Sequence, residues 1–272
     1  MNYNALSHIG FIMDGNRRYA KKSNLELKEG YKAGMLQFYS ILQWQVSQCI
    51  HTTTFFALSL DNAQKRKKEE LIAIKNVITT LLEDPQFEKY CKEHKVEIRI
   101  KGRYSKDNQE VNEETVKFDR EEIIKKSDMN KRELFDMKDQ EEELIRNIQK
   151  RVKELNSSFD TPQFVVNIAL FYDGQEEIAY ATQQIAKEVK KGNINIEDIT
   201  PQIIKEHIYF NDSNFPQVVV RTGQAPRISG FMLFSSAYSE IFFSQKMWPE
   251  LTTQDLDEIM NWFNRQSRNF GK

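Results

Sequence analysis

The stretch His8-Ile9-Gly10-Phe11-Ile12-Met13-Asp14-Gly15-Asn16-Arg17-Arg18 sets an apolar, β-rich run directly against a polar turn. Ile9–Met13 is solidly apolar rather than alternating, which suits a strand covered on both faces. Runs of the same kind recur at Thr52–Leu58, Val96–Ile100, Phe164–Leu170, Val218–Val220 and Glu240–Phe243. Between the first two, Tyr31, Gly34, Phe38, Ile41, Leu42 and Val46 fall at helical spacing. Leu71, Ile74, Ile78, Leu81 and Leu82 do the same after the second. Strand, helix, strand in this rhythm predicts an α/β fold: a mainly parallel six-stranded sheet flanked by helices. With no internal repeat and no Pro- or Gly-rich linker, one domain spans residues 1–272.

The segment from Ser105 to Leu155 interrupts the rhythm, because about half of it is charged, with both signs mixed. Its second half carries Ile145, Ile148, Val152 and Leu155 in three-and-four spacing and predicts an amphipathic helix. Its first half, about 105–137, has no sustained apolar stripe and is expected to be a charged surface insertion, partly helical. A solvated face and a partner-docking arm are both open readings of it.

Lys plus Arg number 39 against 40 Asp plus Glu, so the net charge is −1. A general nucleic-acid binder should carry a basic excess, and none is present. Any anion site must therefore be a local concentration of cations. Cys49 and Cys91 have no metal-ligand spacing and are expected to be free thiols. No apolar run is long enough to span a bilayer, and Met1 to Ser7 is polar and too short for a signal peptide. These features predict a cytoplasmic chain, and they leave room for peripheral contact with a membrane.

In an open parallel sheet, ligands gather at the carboxyl ends of the strands. Three polar groups of residues fall there. Asp14-Gly15-Asn16-Arg17-Arg18 follows the first strand. Gly15 permits a tight turn, the arginines add positive charge, and Asp14 could hold a divalent cation beside a diphosphate. A plain Asp-Gly-Asn turn with solvated arginines explains the same residues. Ser59-Leu60-Asp61-Asn62, with Lys65-Arg66-Lys67-Lys68 after it, follows the second strand. It reads either as neutral hydrogen-bonders beside a basic cluster or as a loop capped by Asp61 or Asn62. Arg221-Thr222-Gly223 and Arg227-Ile228-Ser229 follow the fifth strand, as a phosphate clamp or an ordinary basic loop. Local cations around one carboxylate in a nearly neutral chain point to a diphosphate-handling α/β enzyme.

The run His8 to Lys22 resembles the opening signature of the cis-prenyltransferases. Its Arg17-Arg18-Tyr19-Ala20-Lys21-Lys22 continuation is more similar to eukaryotic dehydrodolichyl diphosphate synthases than to bacterial undecaprenyl diphosphate synthases. Segments similar to the family's later motifs follow in order: Phe56 to Asn62, Asn167 to Leu170, Arg221 to Ser229, Ala237 to Glu240, and Trp248-Pro249-Glu250.

The resemblance implies sequential condensation of isopentenyl diphosphate onto an allylic diphosphate, farnesyl diphosphate being the expected starter. The product would be a polyprenyl diphosphate for a dolichol-type glycosyl carrier lipid. By the same resemblance, Asp14 binds Mg²⁺ and assists departure of the allylic diphosphate, which Gly15, Asn16, Arg17 and Arg18 cradle. Arg221, Arg227 and Ser229 hold isopentenyl diphosphate, Ser59 and Asn62 help remove its C2 proton, and Glu240 supports Mg²⁺. The elongating chain needs an apolar tunnel, for which Leu71, Ile74, Ile78, Leu81 and Leu82 are candidates alongside ordinary core packing. The family works as a homodimer or as a heterodimer with a sister subunit, in eukaryotes at the endoplasmic reticulum membrane.

Some positions depart from the family's pattern. Ala63 stands for an aromatic residue, Lys65 for an arginine with Arg66 beside it, and Asp173-Gly174-Gln175 for Gly-Gly-Arg. Pro226 replaces a histidine found in bacterial members, and Gly102-Arg103 replaces a Gly-Asp. Asn269 stands where the tail arginine aligns, with Arg268 one residue away. A non-catalytic subunit of a heteromeric prenyltransferase is therefore the alternative, although such subunits typically lack the carboxylate that this chain keeps at Asp14.

Overall fold

The computed structural model describes residues 5–103 and 131–266. β1 (His8–Ile12) sits near the middle of a six-stranded sheet of order β3-β4-β2-β1-β5-β6. The others are β2 (Thr52–Ser59), β3 (Val96–Lys101), β4 (Phe164–Tyr172), β5 (Val218–Arg221) and β6 (Glu240–Phe243), and every neighbouring pair is parallel. All residues of β1 and β5 are buried, as their unbroken apolar runs predict.

Among the described residues the helices are α1 (Asn16–Lys22), α2 (Leu27–Ser47), α3 (Leu60–Lys65), α4 (Lys68–Glu83) and α5 (Pro85–His94). After the break come α6 (Lys131–Asn156), α7 (Gly174–Lys191), α8 (Pro201–His207) and α9 (Thr253–Arg265). α2 begins with a capping box between Glu26 and Glu29, which satisfies backbone donors at its first turn. α6 starts at Lys131, so the end of the expected 105–137 insertion is helical, while residues 104–130 lie outside the described chain.

The edge strand β6, expected from its apolar run to be covered, is only partly buried, whereas the centre of the sheet is covered on both faces. On one, Phe11 stacks on Phe55 at 5.4 Å between ring centroids, and Phe38 and Trp248 close on Phe55 at 4.3 and 6.1 Å. On the other, Tyr172, Tyr209, Phe210, Phe231 and Met232 form a smaller cluster. Both cysteines are free, Cys49 exposed and Cys91 buried, and burial pushes the Cys91 thiol up to about 12. Among the described residues no helix is long and apolar enough to cross a membrane.

Candidate active site

The strand order reverses at β1, which has β2 on one side and β5 on the other. In a sheet of this kind the crevice beyond the carboxyl ends lies at that point. A cavity of about 960 Å³ opens there. Asp14, Gly15, Asn16, Arg17, Arg18, Ser59, Asn62, Arg221, Arg227 and Ser229 all line it, so one wall gathers three segments that the sequence keeps far apart.

The turn after β1 is tied down from β5. Thr222, fully buried, donates from Oγ1 to the Asp14 carbonyl at 2.7 Å and accepts from the Asp14 N–H at 3.0 Å. Gly15 caps α1 at φ +114°, where an added Cβ would lie 2.7 Å from Met247 Cβ. Left-handed backbone and close approach both require glycine there. Gly223, at φ +82°, lets Arg18 and the Asp14 backbone come within 3 Å of where its side chain would be.

Arg221 is 5% exposed and acts as a strut rather than a free clamp. Its Nη2 donates to Asp14 Oδ2 at 2.9 Å, and its Nη1 donates to the Arg227 carbonyl at 2.7 Å and Ser229 Oγ at 2.8 Å. Arg18 Nη2 reaches the other Asp14 oxygen at 3.2 Å. The Asp14 side chain keeps 34% of its surface exposed to the cavity.

At the end of β2 the pairing with β4 breaks register between Phe56 and Ser59. Ser59, rather than Asp61 or Asn62, is the cap of α3: its Oγ accepts from the Asn62 N–H at 3.1 Å. The cation that this segment brings to the cavity is Arg66. The Lys65 side chain is 73% exposed, pairs with Asp61 and is not part of the lining. Sequence position favoured Lys65, but the turn of α3 and its extended cap at Arg66 send the two side chains apart.

The structure does not bring Glu240 to Asp14 within this chain. Glu240 opens β6 opposite Val218, whereas Asp14 follows Ile12, which pairs with Arg221 at the other end of β5. Three residues of strand span about 10 Å. Among the described residues no cluster of three or more His, Cys, Asp or Glu could hold a metal. A cation at Asp14 would therefore take its remaining donors from a ligand, a common mode for Mg²⁺ with phosphates.

Sequence reasoning missed Tyr31, Asp173 and Trp248 as wall residues. Asp173 caps α7, accepting from the Gln175 and Glu176 N–H groups at 2.9 and 3.1 Å. Trp248 donates from Nε1 to the Gly34 carbonyl at 2.8 Å, fixing the mouth against α2. Deeper in, the lining turns apolar: Met35 and Phe38 from α2, Phe55 from β2, and Ile74, Val77, Ile78 and Leu81 from α4. Of the tunnel candidates, Ile74, Ile78 and Leu81 face the cavity, while the lining does not include Leu71 or Leu82.

A cationic mouth continuous with an apolar channel, on a parallel sheet, has the chemistry to suit an amphiphile with an anionic head. A family model for undecaprenyl diphosphate synthase matches residues 12–132 and 118–271, so the chain belongs to that family and is a cis-prenyltransferase. The tritrans,polycis-undecaprenyl-diphosphate synthase (geranylgeranyl-diphosphate specific) of Sulfurisphaera tokodaii is 29% identical, over 97% of this chain and 87% of that protein. The like-named protein of Pyrococcus abyssi is 30% identical, over 97% and 86%. An isoprenyl transferase of Thermus thermophilus is 29% identical, over 97% and 88%. The crystal structure of lavandulyl diphosphate synthase from Lavandula x intermedia, in complex with dimethylallyl diphosphate, has the same fold. Its TM-score is 0.80 at 21% identity, with all of both chains covered.

Proposed function

We propose that this chain elongates an allylic diphosphate by sequential cis condensation of isopentenyl diphosphate, and that one domain spanning residues 1–272 carries the activity. The observation that carries this reading is the cavity with arginines at its mouth and the α2–α4 apolar channel behind them. The diphosphate head sits among Arg17, Arg18 and the backbone at Gly15 and Asn16, and the prenyl tail runs along Phe38, Ile74, Ile78 and Leu81. Isopentenyl diphosphate lies against Arg227 and Ser229, held in place by the Arg221 strut.

The allylic carbon–oxygen bond breaks with its electron pair leaving on the diphosphate. The isopentenyl double bond then attacks the cationic carbon, and the C2 proton leaves toward the Ser59–Asn62 segment. The guanidinium groups sit where negative charge develops and lower that barrier electrostatically. Asp14 is the residue that would hold Mg²⁺, which when bound would supply Lewis-acid stabilisation of the leaving group. The Asp14 carboxylate fits this use, since it is a hard oxygen donor partly open to the cavity and needs only a shift of Arg18 to free an oxygen.

Farnesyl diphosphate is the proposed starter, and a dolichol-type carrier lipid the destination of the product. The Arg17-to-Lys22 continuation supports placing the chain nearest the eukaryotic branch. We place it in the cytoplasm, peripherally at the endoplasmic reticulum membrane, as a homodimer or with a sister subunit. The part of residues 105–137 before α6 is proposed as the charged surface insertion.

The test is incorporation of labelled isopentenyl diphosphate by the purified chain with Mg²⁺ and either farnesyl or geranylgeranyl diphosphate, Asp14→Ala as control, products resolved by length. Long products lost in the variant support the reading. Activity that appears only after a copurified sister subunit is added assigns the chain to a heteromer, and release of inorganic phosphate without elongation overturns the reading.

A further inference from the structure

Arg17 and Arg18 are neighbours on α1, yet their side chains go to different carboxylates. Arg18 turns to Asp14, and Arg17 Nη1 reaches Glu70 Oε1 on α4 at 3.3 Å. The Glu70 side chain is 12% exposed and stands behind the cavity wall, of which Arg17, Arg66 and Tyr31 form part. Arg66 faces it as well: Nη1 donates to Tyr31 Oη at 3.1 Å, while Nε lies 3.8 Å from Glu70 Oε2, too far for a hydrogen bond. Arg66 Nε and Glu70 Oε2 are both buried, and neither has a hydrogen-bond partner among the described residues.

One carboxylate thus serves two guanidinium groups through a single hydrogen bond of 3.3 Å. Buried polar atoms left this poorly matched are unfavourable, and an anion with more oxygens and more charge would satisfy the same arginines better. Arg66 is also held by Tyr31, and the Arg17 side chain, 58% exposed beside the cavity, is free to turn from Glu70 to a ligand, so neither guanidinium is locked to Glu70. The effect of Glu70 on an incoming diphosphate is therefore mainly competition.

We propose that Glu70 is a counter-ion that holds Arg17 and Arg66 at the cavity wall and yields them to the diphosphate, so that it sets how tightly the diphosphate is held and how readily it leaves. The proposal rests on the diphosphate reading of this cavity. It separates Glu70 from Asp14, whose arginine Arg221 is held through both terminal nitrogens in the strut.

The probe is inorganic diphosphate, titrated into the full chain at fixed ionic strength and followed by calorimetry. Glu70→Gln keeps the shape and removes the charge. It should lower the Kd on the order of tenfold, the effect of one unit charge a few ångströms from the ligand at a partly screened site. In turnover it should lower KM and kcat together, because release slows. Glu93→Gln, which removes an exposed carboxylate on α5 that pairs with Lys89 away from the cavity lining, should shift the Kd less than about twofold. Glu70→Asp, which withdraws the charge from Arg17 without deleting it, should move the Kd the same way by a smaller factor, and it decides the matter if Glu70→Gln does not fold. An unchanged or raised Kd in a folded Glu70 variant overturns the proposal while leaving the cavity's function standing. A wild-type chain that binds no diphosphate overturns both.

Discussion

Arg221 Nη2 lies 2.9 Å from Asp14 Oδ2, joining the ends of β5 and β1 across 207 residues of sequence. The same guanidinium holds the 227–229 loop, so one buried side chain links the two halves of the proposed site. Asp14→Ala removes both the cation donor and this contact. Turnover is expected to fall on the order of 10²–10³, as for loss of a single preorganised electrostatic group. Steady-state incorporation of labelled isopentenyl diphosphate checks it, with circular dichroism showing that the fold persists.

Arg221→Lys keeps the charge and loses the fork. A lysine cannot reach Asp14, the Arg227 carbonyl and Ser229 together. The KM for isopentenyl diphosphate is expected to rise at least tenfold, and stability to fall by about 1–2 kcal/mol, because a nearly buried network is left partly unpaired. Urea denaturation read beside the kinetics separates the two effects.

Ile78→Trp and Leu81→Trp put bulk into the channel between α2 and α4. Both should shift the product distribution to shorter chains and leave the first condensation within about threefold, since the mouth is untouched. Leu82→Ala, outside the lining and 1% exposed, should instead destabilise by about 2–5 kcal/mol with product length unchanged. Chromatography of the radiolabelled products together with melting curves tells tunnel from core.

Glu177 and His8 are buried and set opposite pH slopes on stability. Burial raises the Glu177 carboxyl to about 7, against hydrogen bonds from Tyr172 Oη and the Tyr209 N–H. Burial also lowers the His8 imidazole to about 4, against its contact with the Asn214 carbonyl. From about pH 4.5 to 7 the folded state keeps the Glu177 proton that the unfolded state loses, so this term falls as pH rises. From about pH 4 to 6.5 the unfolded state binds the proton that His8 refuses, so that term rises with pH. The two largely offset each other in the wild type. Glu177→Gln should therefore uncover a stability that climbs between pH 4.5 and 6.5, measured by urea titration across that range; a variant profile parallel to the wild type would sink the assignment.

The sequence by itself determined the strands, because unbroken apolar runs such as Val218–Val220 suit strands covered on both faces; the structure shifts the first run by one residue, leaves the last as it stands and extends the other four by one or two. It determined α2 and α4 through the spacing of Phe38, Ile41, Ile74 and Ile78, and it identified nine polar residues and Gly15 that converge on one wall. Strand order explains that convergence: side chains following parallel strands meet at the carboxyl edge once β1, β2 and β5 lie side by side. What only the tertiary structure decided were matters of direction. Lys65 or Arg66 toward the cavity depends on how α3 ends, and Glu240 far from Asp14 depends on which end of β6 pairs with Val218. Arg221 as a strut, Arg17 turned to Glu70, and Ile78 lining a channel while Leu82 packs inside all depend on contacts between distant segments. Residue type and spacing record which groups can act, but the face a side chain takes is settled by what packs against it.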